Sequence, residues 1–129
     1  MVVWDVQEDQ PSYTLVMCTE GWTTNNPELL KRFLKSLVQA EDFITGNPEE
    51  AKAFIQQKLS YDDAYMASVW PDYHFSVTLG QALVVAMEDQ ARWIISKNLT
   101  DEKQTPNFVK YIYVDGLEAV KPEAVNIIR

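Results

Sequence analysis

Apolar positions along the chain change period near residue 20. Before it they form two β-branched and aromatic runs, Val2-Val3-Trp4-Asp5-Val6 and Ser12 to Thr19. The polar stretch Gln7-Glu8-Asp9-Gln10-Pro11 separates them, and its proline breaks regularity. Both runs read as strands. Two strands do not make a stable sheet alone, so these require further strands or a cover of helices.

From Asn26 onward the period becomes helical. Asn26-Pro27-Glu28 reads as an N-cap, a proline at the first helical position and an acid near the positive helix end. Leu30, Phe33, Leu34, Leu37, Ala40 and Ile44 recur at helical spacing, Lys31, Arg32, Lys35 and Gln39 take the other face, and Gly46 stops the helix. Asn47-Pro48-Glu49-Glu50 repeats the start signal, with Glu50 at the capping-box position. That helix runs to about Leu59, with Ala51, Phe54, Ile55 and Leu59 on its apolar side.

A third, shorter helix opens at Ser60-Tyr61-Asp62-Asp63 and runs to about Trp70, where Pro71 ends it. Thr78-Leu79-Gly80-Gln81 has the form of a capping box for the strongest helix. Its stripe comprises Leu79, Ala82, Leu83, Ala86, Met87, Gln90 and Ile94, and it ends near Lys97-Asn98. Phe108 to Val114 is ambiguous between helix and strand, and the rest is short and irregular. The pattern predicts an α+β, mostly helical fold in which one or two N-terminal strands precede four or more helices. Residues 1–20 would hold the strands and 26–129 the helical part of one domain.

Length and charge narrow the function. The chain has 129 residues, 47% of them hydrophobic and 23% charged, which suits a globular domain and excludes a disordered one. Eleven Lys and Arg against nineteen Asp and Glu give a net charge of −8, so phosphate neutralisation has no basis and no nucleic-acid partner is expected. A single cysteine, Cys18, excludes an internal disulfide framework and a cysteine-based zinc site. The longest unbroken apolar run, Ala82 to Met87, is far short of the roughly 20 residues that span a bilayer. Met1-Val2-Val3-Trp4-Asp5 lacks the basic n-region of a signal peptide.

Chemistry-bearing motifs are sparse. His74 is the only histidine, there is no Gly-x-Ser-x-Gly elbow, and Cys18 reads as a packed residue inside a strand. Asp62, Asp63, Asp72, Glu88 and Asp89 lack the alternation and glycine of a calcium loop and read as caps and solvated faces, so no metal is expected. No phosphate loop or dinucleotide fingerprint is present, and no cofactor is expected. Asn98-Leu99-Thr100 has the form of a glycosylation sequon, a triplet common by chance. The abundant aromatics read mainly as helix packing, with an aromatic-lined pocket as the other use. Asp5, Gln7, Gln10 and Tyr13 differ, because they cluster around the strand connection and not on a helix stripe.

Asn26 to Leu37, Ala40-Glu41, Asn47 to Ala51, Trp70 to Leu79, Pro106 to Tyr113 and Ala119 to Val125 form an ordered series. The series resembles the C-terminal half of ABC-transporter substrate-binding proteins of the nitrate/sulfonate/taurine/thiamine-precursor type. The resemblance implies a non-enzymatic receptor in which two α/β lobes close on a small solute and dock on ABC permease membrane subunits. It also implies a periplasmic or extracellular location and membrane association through a parent protein. Such receptors are about twice this length or more, so the chain would be their C-terminal part, with hinge-proximal strands in residues 1–20. Asp5, Gln7, Gln10 and Tyr13 would then line the solute cleft by position.

Two other functions compete with a solute receptor: a stand-alone helical protein-interaction module without solute binding, and a small enzyme, for which no nucleophile–base pair is visible. In isolation the chain is expected to bind no solute tightly and to associate with itself. Unpaired strand edges and the stripe Leu29-Leu30-Phe33-Leu34-Leu37 favour pairing, with exchange of the N-terminal strands as one route.

Overall fold

The computed structural model describes residues 12–128. Six α-helices follow one another: α1 (Glu20–Asn25), α2 (Pro27–Gly46), α3 (Pro48–Leu59), α4 (Asp63–Val69), α5 (Gln81–Ser96) and α6 (Asp115–Glu118). Short 3₁₀ turns at Trp70–Asp72, Phe108–Tyr111 and Pro122–Ala124 complete the regular structure.

The predicted α+β fold with N-terminal strands is not what forms. Ser12 to Thr19 belongs to no strand, and the one β-type pairing among the described residues is an isolated bridge between Leu79 and Val125. The described chain is an all-helical small domain and not a two-lobe α/β arrangement. Composition gave Ser12–Thr19 the preferences of a strand, but strand propensity is realised only against a cross-strand neighbour. No described strand lies beside it. The other predicted strand, Val2 to Val6, lies outside the described residues.

Local chemistry set the helix starts. Each Asn-Pro step joins two helices without a loop. The Asn26 backbone N–H and side-chain amide both donate to the Trp22 carbonyl, at 3.0 and 2.9 Å, while the Asn26 carbonyl accepts from Leu30. Asn47 repeats this toward Phe43, at 2.8 and 3.2 Å, and its carbonyl accepts from Ala51. The expected N-cap side-chain bonds are therefore absent, because each asparagine amide closes the preceding helix. Asp62 is an ordinary N-cap, accepting from the Tyr65 N–H at 2.7 Å. Ser60, with φ of 55°, ends α3 in the left-handed region.

The helices pack in a chain of neighbours: α1 on α2, α2 on α3 and α6, α3 on α4, and α5 against the Phe108–Tyr111 turn. The buried apolar residues are Leu30, Ala51, Met66, Leu83, Val84, Val114, Leu117, Ala124 and Ile127. At Gly116 the backbone of α6 comes so near α2 that a Cβ there would stand 2.9 Å from Leu34 Cδ1. On α2, Leu30 is buried and Leu34, Leu37 and Ile44 are half-buried, but Phe33 and Ala40, assigned to the same stripe, are exposed. On α3, Ala51 is buried while Phe54 and Leu59 face solvent. The face of α5 is rotated from the predicted one: Leu83 and Val84 are buried, whereas Ala82, Gln90 and Ile94 are exposed.

The start of α5 also moved. Gly80 is its N-cap residue and Thr78 makes no capping bond, because Leu79 pairs with the C-terminal segment. Leu79 donates to the Ala124 carbonyl at 2.9 Å and accepts from the Asn126 N–H at 3.0 Å. That pairing brings Asn126 Oδ1 to the Gln81 N–H at 2.9 Å, so a residue 45 positions away caps the helix.

Candidate functional site

Of the four residues assigned to a cleft, Tyr13 is within the described structure, and Asp5, Gln7 and Gln10 lie outside it. Tyr13 is 40% exposed on the irregular stretch leading into α1. Along the same stretch Leu15, Val16 and Met17 are exposed, and so is Cys18. The expectation of a packed core cysteine fails for the reason the strand failed: among the described residues no strand or helix covers it.

Thr19 joins this stretch to the helical body. Its hydroxyl accepts from the Trp22 N–H at 3.3 Å and its carbonyl from Trp22 and Thr23. Behind it Thr23 is buried and donates to the Glu20 carbonyl at 2.7 Å. The site therefore consists of an irregular stretch carrying Tyr13, held at one end by a capped helix.

The most organised polar contact lies elsewhere. Glu41 on α2 takes both carboxylate oxygens to Lys121 Nζ, at 2.7 and 2.8 Å, and Glu41 Oε2 also accepts from the Val77 N–H at 3.2 Å. The two side chains are 16% and 19% exposed, so the pair is largely withdrawn from water. It joins α2, the segment before α5 and the segment after α6. Sequence reasoning did not single out this trio, and no spacing signal could have found residues 80 positions apart.

Five aromatic side chains form the other cluster. Ring centroids of Tyr61 and Tyr65 are 4.6 Å apart, those of Trp70 and Phe75 5.3 Å, and those of Tyr73 and Phe75 5.8 Å. The interplanar angles are 57°, 43° and 66°, so the rings meet tilted or edge-on, as aromatic pairs prefer. Tyr73, as hydrogen-bond and charge partner, pushes the Tyr65 hydroxyl above its ordinary value of 10.0. Tyr65 thus stays neutral through physiological pH.

The remaining candidates are structural or solvated. His74 is exposed. Asp62 caps α4, Asp63 accepts from Gln56 Nε2 at 2.6 Å, and Glu88 and Asp89 both pair with Arg92. Among the described residues no group of three or more His, Cys, Asp or Glu is gathered to hold a metal ion, and no helix is long and apolar enough to cross a membrane. No family model, no curated protein and no solved structure matches the chain.

Proposed function

We propose that the chain is the helical part of a solute receptor serving an ABC importer, one that takes a small anion or organic solute such as nitrate, a sulfonate or taurine. The observation that carries this reading is the ordered series of segments from Asn26-Pro27 to Ala119–Val125, spread over nearly the whole chain. Two structural features support it. The segments of the series pack as one helical body joined end to end by Glu41 and Lys121. The irregular stretch ahead of that body offers an exposed phenol at Tyr13, a group that can donate to an oxyanion or cover an organic solute.

In this role the chain supplies recognition and no bond-breaking chemistry, and the loaded receptor docks on the membrane permease. The net charge of −8 disfavours an anion at long range, so the grip on it comes from short-range donors. The test is calorimetry of the whole encoded reading frame against nitrate, taurine and alkanesulfonates. Micromolar binding of one of them, weakened by Tyr13→Ala, is expected. A folded protein that binds none of them overturns the reading.

A second reading has its own observation. The exposed apolar side chains of α2, Leu29, Phe33 and Phe43, favour a helical interaction module that pairs with another protein and binds no solute. Pull-down of a partner by a chain inert in calorimetry would select it.

A further inference from the structure

The triplet Asn98-Leu99-Thr100 takes no part in recognising a solute or a protein partner, and as a sequence it is common by chance. Its asparagine differs from every other in the chain. Of six asparagines, five hold the fold together through their side chains. Asn25, Asn26 and Asn47 donate from the amide to carbonyls one turn back, at 2.7, 2.9 and 3.2 Å. Asn107 and Asn126 accept from the Val109 and Gln81 N–H groups, at 3.2 and 2.9 Å. Asn98 is the sixth, and among the described residues its side-chain amide makes no hydrogen bond.

The end of α5 puts that amide at the surface. The Asn98 N–H donates to the Ile95 carbonyl at 3.0 Å and the Leu99 N–H to the Ile94 carbonyl at 3.1 Å, a Schellman turn with Asn98 at φ of 54°. Glycine is the usual residue at this left-handed position, and asparagine is the common substitute. The turn therefore carries an amide where glycine would carry no side chain. Asn98 and Leu99 are exposed, Thr100 is half-buried, and residues 97–107 belong to no helix. The Thr100 hydroxyl accepts from the Glu102 N–H at 3.3 Å and donates to no described group.

We propose that Asn98 is the acceptor of an N-linked oligosaccharide. The donor is an oligosaccharide carried on a polyprenyl diphosphate. Asn98 Nδ2 bonds to the anomeric carbon of the sugar as the bond from that carbon to the diphosphate oxygen breaks. One Nδ2 proton is lost and polyprenyl diphosphate leaves, with no change of oxidation state. The fold suits this at Asn98 and at none of the other five positions. Substitution there displaces no hydrogen bond, whereas on Asn25, Asn26 or Asn47 it would crowd a bond that closes a helix. Entry into an enzyme's cleft opens only the two bonds that end α5 and the Glu102 contact, while Leu83 and Val84, the buried residues of α5, lie at its other end. The middle residue is leucine and not the proline that bars transfer. The inference stands on the turn and is independent of solute binding, which calorimetry tests separately.

Mass spectrometry of the protein purified from its own cells is expected to find an oligosaccharide on the peptide that contains Asn98. Asn98→Gly, which suits the left-handed turn, should abolish it with helical circular dichroism unchanged. Thr100→Ala should also abolish it, and Thr100→Ser should retain it. Unmodified, folded chain supplied with a polyprenyl-linked oligosaccharide and an oligosaccharyltransferase that reads Asn-x-Thr should be modified at Asn98. Ile128→Thr places a second acceptor triplet at Asn126, which is also exposed but caps Gln81, so the folded chain should leave it bare. An unmodified Asn98 in the native protein, an oligosaccharide that survives Asn98→Gly, or equal modification of Asn126 in the Ile128→Thr variant would each overturn the proposal.

Discussion

Lys121 donates to both carboxylate oxygens of Glu41, at 2.7 and 2.8 Å, across 80 positions of the sequence. The pair is 16–19% exposed, and Glu41 also holds the Val77 N–H. Removing one partner leaves the other charge largely desolvated and unpaired. Lys121→Met should therefore destabilise the chain by about 2 kcal/mol, and adding Glu41→Gln should restore part of the loss. Urea unfolding of the two variants and the parent checks this. A loss under about 0.5 kcal/mol would class the pair with exposed ion pairs.

Helix α5 is capped from a distance, so its cap mutations should fall in an unexpected place. Asn126→Ala removes the acceptor of the Gln81 N–H and should cost about 1 kcal/mol. Thr78→Ala, at the position that reads as the capping residue in sequence, should cost under about 0.5 kcal/mol. Thermal unfolding of both variants distinguishes the two origins of the cap.

At Asn47 the amide donates to the Phe43 carbonyl, closing α2, and makes no bond to α3. An N-cap tolerates aspartate about as well as asparagine. A C-terminal donor does not, since a carboxylate has no N–H and sits against a carbonyl. Asn47→Asp should accordingly destabilise by about 1 kcal/mol. Equal stability of the two proteins would restore the N-cap role.

On α5 the observed face predicts which apolar truncations matter. Leu83 is 7% exposed and Ile94 38%. Leu83→Ala should cost about 2–4 kcal/mol, and Ile94→Ala under about 1 kcal/mol. Similar denaturation midpoints would return Ile94 to the buried stripe.

Tyr65 should be the late-ionising tyrosine. Its hydroxyl is raised above 10.0 by Tyr73, so the folded state favours the neutral phenol. Whatever stability this contributes is present below the unfolded value near 10 and is lost as pH rises through the higher folded value. Alkaline titration of tyrosinate absorbance should show one phenol ionising late, and Tyr73→Phe should bring it back to the ordinary range.

Sequence alone determined where helices begin and end wherever the deciding contacts are local. Asn26-Pro27, Asn47-Pro48 and Asp62 start helices at the places their chemistry indicates, and Lys97-Asn98 ends α5, since fixed φ, a missing N–H and short polar side chains act within one turn. Tertiary structure decided what those helices face. The periodicity of α2 admitted two apolar stripes, and contacts with α3 and α6 chose Leu30 over Phe33 for the core. Ser12–Thr19 had the composition of a strand and, among the described residues, no partner to make it one, because a strand's hydrogen bonds, unlike a helix's, belong to another segment. The cap on Gln81 from Asn126 and the Glu41–Lys121 pair depend in the same way on chain folded back over 45 and 80 positions. Of the candidate site, the sequence put Tyr13 on a strand; the structure gives it no strand and leaves it 40% exposed, an outcome that packing decided and local propensity could not.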